Sequence, residues 1–174
     1  DRDRVKREIE SDVANGYDAA RVFGQLEWPD INVTITGSEP GHQQAVRDLT
    51  AFAFSVGMRI AWTDIGKGIV MDEGHERLPF VRRMAEALRD VPHGVLLNEI
   101  MNEPQIGGRI GLSELLDLYH LAHGIAPMLL HATGAVWTER GWVPGAPEFE
   151  GGTAWSSEGA RRVAPDGSVV IAHT

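Results

Sequence analysis

The sequence predicts an α/β fold built on parallel strands, part of a (β/α)8 barrel. Three observations predict it. Helical and strand patterns alternate along the whole chain. The strands begin near residues 20, 58, 94, 134 and 168, roughly the repeat of a barrel that fits eight units into ~250 residues. The rival architecture, a doubly wound open sheet, usually carries a Gly-rich phosphate turn after its first strand. Here Gln25-Leu26-Glu27-Trp28 follows that strand instead. Strands separated by helices imply parallel pairing with right-handed crossovers.

The elements follow in order. Val5, Ile9 and Val13, four apart, predict an amphipathic helix over residues 4–15, stopped by Gly16. A short strand spans 20–23, and a loop rich in Pro, Gly, Thr and Asp spans 27–40. Ala45, Leu49, Phe52, Ala53 and Val56 form the stripe of a helix over 43–56, which runs directly into a strand at 58–63. A loop at 66–76 leads to a helix over 78–89 with Phe80, Val81, Met84, Ala85 and Leu88 facing inward. Residues 94–101 open nearly all apolar, as a strand buried on both faces does. A helix over 112–126 carries Leu115, Leu116, Tyr119 and Ala122, and Pro127 ends it. A strand at 135–137, a Gly/Pro-rich loop at 142–153, a short helix at 156–163 and a last strand at 168–173 complete the pattern.

Length and composition bound the function. The 174 residues are 43% hydrophobic and 24% charged, an ordinary globular balance. No apolar run approaches the ~18 residues of a membrane span. A formal net charge of -9 argues against nucleic acid or an anionic membrane as partner. With no cysteine, disulfides, thiolate catalysis and zinc–thiolate sites are excluded. The opening Asp1-Arg2-Asp3-Arg4 holds no initiator Met and no signal peptide, and a buried-type strand stands at the end. Both ends therefore read as cuts within a longer protein.

The strongest chemical signal is Asn98-Glu99-Ile100-Met101-Asn102-Glu103-Pro104. Alternation places Glu99, Met101 and Glu103 on one face of the strand. Glu103 falls at the strand's C-terminal end, where barrel enzymes build their sites, and Pro104 stops the ladder there. Carboxylates on an apolar strand are costly to bury without a function or partners. Glu99 is either a second functional group or a structural member of an ion pair lower in the sheet.

This stretch resembles the fourth-strand signature of clan A glycoside hydrolases, particularly the cellulase- and mannanase-like family 5. The resemblance implies that Glu103 is the catalytic acid/base and that Asn102 binds the sugar 2-hydroxyl. Gly16-Tyr17-Asp18-Ala19-Ala20-Arg21-Val22 is similar to the family's second strand. There an Arg supports the nucleophile's charge, so Arg21 takes that role or forms a salt bridge at the barrel end. The chain then supplies strands two to six. The family's nucleophile belongs to strand seven, and no residue here matches it.

The chain also departs from the family. Its third strand often ends in His, where Thr63-Asp64-Ile65-Gly66 has none. Asp64 either takes over that substrate contact or caps the strand. His173 ends the sixth strand, where some members place a substrate-contacting His, though a strand-end His is also commonly structural. Trp28, Trp62, Trp137, Trp142 and Trp155 fall mostly at strand ends or in the loops beyond, suited to stacking on sugar rings or to anchoring the core. Trp28 and Trp137 are the two expected nearest a cleft.

The expected reaction is retaining hydrolysis of a β-linked oligo- or polysaccharide. One carboxylic acid protonates the leaving oxygen while a second carboxylate attacks. No metal or cofactor is expected, since His120 and His123 make only a solvated helix face. The alternatives are a noncatalytic carbohydrate-binding or structural barrel and a metal-dependent barrel hydrolase.

Overall fold

The computed structural model describes residues 2–28, 33–66, 74–102, 110, 112–132, 135–138, 141–144, 162–163 and 169–170. The four-residue spacing of the first segment gives α1 (Arg2–Ala14), which buries Ile9 and packs Val13 against the core. The chain then enters β1 (Ala19–Trp28) and β2 (Val33–Ile35). This corrects the expected loop at 27–40: β1 runs to Trp28 and β2 folds back on it antiparallel, pairing Leu26 with Ile35 and Trp28 with Val33. The intervening stretch is far too short for a parallel crossover, which takes a dozen residues or more.

Three βα repeats follow. Helix α2 (His42–Ser55) precedes β3 (Arg59–Ile65), α3 (Gly74–Arg89) precedes β4 (Val95–Met101), and α4 (Leu112–Ile125) precedes β5 (His131–Ala132). The inward face expected of α3 is the observed one: Phe80, Val81, Met84, Ala85 and Leu88 are all fully buried. In α4 the buried set is Leu115, Leu118, Tyr119 and Ala122, a spacing of three and four that keeps one stripe on the sheet. Leu116 is only half-buried.

The main sheet has the order β2-β1-β3-β4-β5. β1, β3, β4 and β5 are mutually parallel, and they lie side by side in the order the chain makes them. The molecule is thus a mixed α/β fold with a four-stranded parallel sheet and one antiparallel edge strand.

Register sorts the side chains into two faces, because successive residues of a strand point to opposite sides. Phe23 pairs with Thr63, and Thr63 with Glu99; Gln25 pairs with Ile65, and Ile65 with Met101. Arg21, Phe23 and Gln25 therefore share one face with Thr63, Ile65, Glu99 and Met101. The other face receives the helices. There the Trp62 indole Nε1 donates to Thr50 of α2 at 2.9 Å, and a Cβ on Gly24 would meet Met84 of α3 at 2.8 Å. Among the described residues no helix is long and apolar enough to cross a membrane.

The last third departs from expectation. The parallel partner of β4 is His131–Ala132, not the strand expected at 135–137. β6 (Ala135–Thr138) instead pairs antiparallel with β7 (Gly141–Pro144), within the stretch where the loop from 142 was expected. Only two residues separate β6 from β7, so a hairpin is the geometry available. β8 (Arg162–Val163) lies in the expected 156–163 helix and pairs antiparallel with β9 (Val169–Val170), which was expected to be a further parallel strand. The remainder of those two segments lies outside the described residues.

Candidate functional site

Arg21 projects from β1 onto the face away from the helices, and side chains from β3 and from β4 and its end converge on it. Its Nε donates to Thr63 Oγ1 at 2.9 Å, and its Nη2 donates to Asn102 Oδ1 at 3.0 Å and to Glu99 Oε2. The Thr63 hydroxyl donates in turn to Glu99 Oε2 at 2.7 Å. The guanidinium also lies over the Phe23 ring, 4.9 Å from its centroid. Arg21 and Glu99 keep side-chain exposures of 22% and 15%, so the pair is partly desolvated but not sealed. Charge-assisted bonds in such a setting are strong and directional.

The cluster fixes Asn102. Arginine can only donate, so the amide oxygen of Asn102 faces the guanidinium and its Nδ2 donor is directed away from it. The backbone is held as well, the Asn102 N–H donating to the Ile65 carbonyl at 2.8 Å. Asn102 itself is half-buried at the C-terminal end of β4. Glu99, for which the sequence left two roles open, is the ion-pair partner of Arg21.

Of the residues singled out in the sequence, the structure brings Arg21 and Asn102 together and adds Glu99 and Thr63 to them. Asp64 is elsewhere. It alternates with Thr63 and so lies on the helix-facing side, fully buried. Trp28 and Trp137 are placed by backbone only, at the end of β1 and within β6 opposite Trp142. Glu103 and His173 lie outside the described residues, Glu103 being the next residue after Asn102.

The opposite face holds a second polar group. Asp64, on β3, neighbours Asn98 of β4, which pairs with His131 of β5. Burial pushes the Asp64 carboxyl well above the usual carboxylate range; Asn98 opposes this and the negative charge of Glu99 adds to it. Among the described residues no hydrogen bond of good geometry reaches either Asp64 oxygen. Burial also holds the His131 imidazole below its ordinary value, with the Ala126 carbonyl working against that and His123 with it. Neutral His131 then donates from Nε2 to the Ala126 carbonyl at 2.9 Å and accepts at Nδ1 from Asn98 Nδ2 at 3.3 Å.

Thr63 and Gln25 were passed over in the sequence. Thr63 is two residues past Ala61 on a strand whose neighbour carries Glu99, and Gln25 shares parity with Arg21 and Phe23. That parity was the available signal. No protein-family model matches the chain, and neither does any curated protein.

Proposed function

We propose that the chain belongs to a retaining glycoside hydrolase of β-linked glycans, built on a (β/α)8 barrel, with Glu103 as acid/base. The observation that carries the reading is the Arg21–Thr63–Glu99–Asn102 cluster, in which the Arg21 side chain, from near the start of β1, reaches Thr63 and Glu99 in the C-terminal halves of β3 and β4 and Asn102 just past the end of β4. It immobilises the residue before Glu103 and orients that residue's amide. A donor so held can strengthen its bond to a sugar hydroxyl as charge develops in the transition state. Glu103 then protonates the glycosidic oxygen, and Arg21 supplies positive charge at the base of the site.

Two features of the sheet support the barrel. Consecutive strands are neighbours in sequence order, as closure of a barrel requires and as the reversal point of a doubly wound sheet breaks. The outer edge of β1 over residues 19–25 also has no strand against it among the described residues, since β2 pairs only with Leu26 to Trp28. A further parallel strand fits there. The reading assigns no nucleophile among residues 1–174.

The test is hydrolysis of unactivated β-glucan and β-mannan by the full-length protein and by its Glu103→Gln variant. The variant is expected to fold and to lose turnover. Near-wild-type turnover refutes the assignment, and a wild type that binds these glycans without cleaving them favours the noncatalytic alternative.

A further inference from the structure

The described residues contain one buried polar side chain that faces the Arg21 cluster and has no hydrogen-bond partner. Gln25 is fully buried, and among the described residues neither its Oε1 nor its Nε2 is bonded. Its row on the sheet is Gln25–Ile65–Met101, one pleat beyond the Phe23–Thr63–Glu99 row and level with the strand ends. Ile65 and Met101 are buried and apolar, so they offer the amide nothing. Asp64 and Asn98 also carry unpartnered oxygens, but those are enclosed between sheet and helices. Gln25 shares its face with Arg21, Glu99 and Asn102, which keep partial exposure, while its own amide is fully covered.

We propose that Gln25 is a substrate-binding residue, its amide taking a pair of sugar hydroxyls next to the bond that Glu103 protonates. The inference rests on the glycoside hydrolase reading and names a contact within that site. A carboxamide pairs an acceptor oxygen with two N–H donors, and each sugar hydroxyl both donates and accepts. The match is uncharged, as suits a neutral glycan. Two strand spacings separate β1 from β4, about 10 Å. Gln25 therefore addresses a sugar unit beside the one that Asn102 contacts and contributes binding.

The placement is built into the backbone. The Gly66 N–H donates to the Gln25 carbonyl at 2.7 Å. A Cβ at Gly66 would stand 2.5 Å from that carbonyl oxygen and 2.8 Å from Phe23, so β3 ends flush against the strand that carries Gln25. Leu or Met would fill the same space without leaving an amide unbonded, and burying an amide that way is costly. A ligand that bonds it accounts for its retention.

The experiment compares Gln25→Met, nearly isosteric, and Gln25→Leu with wild type in the full-length protein. The readouts are kcat and KM on cellotetraose and mannotetraose, and the thermal midpoint without sugar. On whichever sugar the wild type cleaves, both variants are expected to lose about tenfold or more in kcat/KM, chiefly through KM. Their midpoints should be unchanged or raised. Unchanged kcat/KM in both overturns the proposal, and so does a lowered midpoint in both, which makes the amide structural. If the wild type cleaves and Glu103→Gln does not, while both Gln25 variants behave as wild type, this inference alone fails. If the wild type cleaves neither sugar, the parent reading fails and takes this one with it.

Discussion

Replacing Asp64 by Asn tests the buried face of the sheet directly. Asp64 is fully buried, no well-formed hydrogen bond reaches its oxygens among the described residues, and burial raises its pKa. In the unfolded chain the carboxyl titrates near ~3.9. A raised folded value means that the native state holds this proton after the unfolded state has released it. The group's contribution to stability is thus fully present below the unfolded pKa and is lost as pH rises toward the folded one. One retained proton corresponds to a slope of about 1.4 kcal/mol per pH unit, for as long as the carboxyl stays neutral. The carboxamide of the Asp64→Asn variant has no such proton to hold. Urea unfolding of wild type and variant from pH 4 upward should therefore show the two curves diverging at that slope, the variant gaining as pH rises. The difference in slope isolates this carboxyl from the other titrating groups, which both proteins share. Parallel curves across the range would refute the reasoning, because they would mean that Asp64 ionises in the native state as it does in the unfolded one.

Two further predictions concern the rest of the sheet. Arg21→Met leaves the partly buried Glu99, among the described residues, with the Thr63 hydroxyl as its one remaining partner, and should cost on the order of 2–4 kcal/mol in urea unfolding. The Arg21→Met, Glu99→Gln double variant should cost at least ~1 kcal/mol less than the sum of the single changes; additive losses would deny the pair. Gly37→Ala drives a Cβ into the Phe80 ring at a backbone φ of 75°. It should lower stability by about 1–3 kcal/mol, and a neutral outcome would show that the ring can move aside.

What the sequence disclosed, and what it withheld, follows from the range of the interactions. The stripe Phe80, Val81, Met84, Ala85, Leu88 was legible because helix periodicity is local, and all five residues are buried. Arg21 and Asn102 were legible only through resemblance to a motif. Their connection through Thr63 and Glu99 spans 36 to 81 residues of chain, and no local pattern encodes it. β5 was misplaced because His131–Ala132 has no β-type composition. It pairs with β4 through backbone bonds, the Asn98 N–H donating to the Leu130 carbonyl, and through the His131 anchor to Ala126. The more strand-like Ala135-Val136-Trp137 drew the expectation toward a hairpin that lies outside the main sheet. The expected strand stopped at Thr63, with Asp64 left as a substrate contact or a cap; the observed β3 runs on to Ile65, and register, which no local pattern encodes, turns Asp64 rather than Thr63 toward the helices.

The sequential strand order bears on how the molecule assembles. Ala19 lies against Arg59 and Thr63 against Glu99, so each strand docks on one made a few tens of residues earlier. The sheet can grow by accretion as the polypeptide leaves the ribosome, with modest loop closure at every step. Arg21 is the exception to this economy of distance. Its counter-ion arrives 78 residues later, so a nascent sheet ending at β3 carries a cation that has the Thr63 hydroxyl and the Phe23 ring beside it but not yet its carboxylate. Arrival of β4 neutralises it, and that step makes commitment to the native pairing electrostatic as well as hydrophobic.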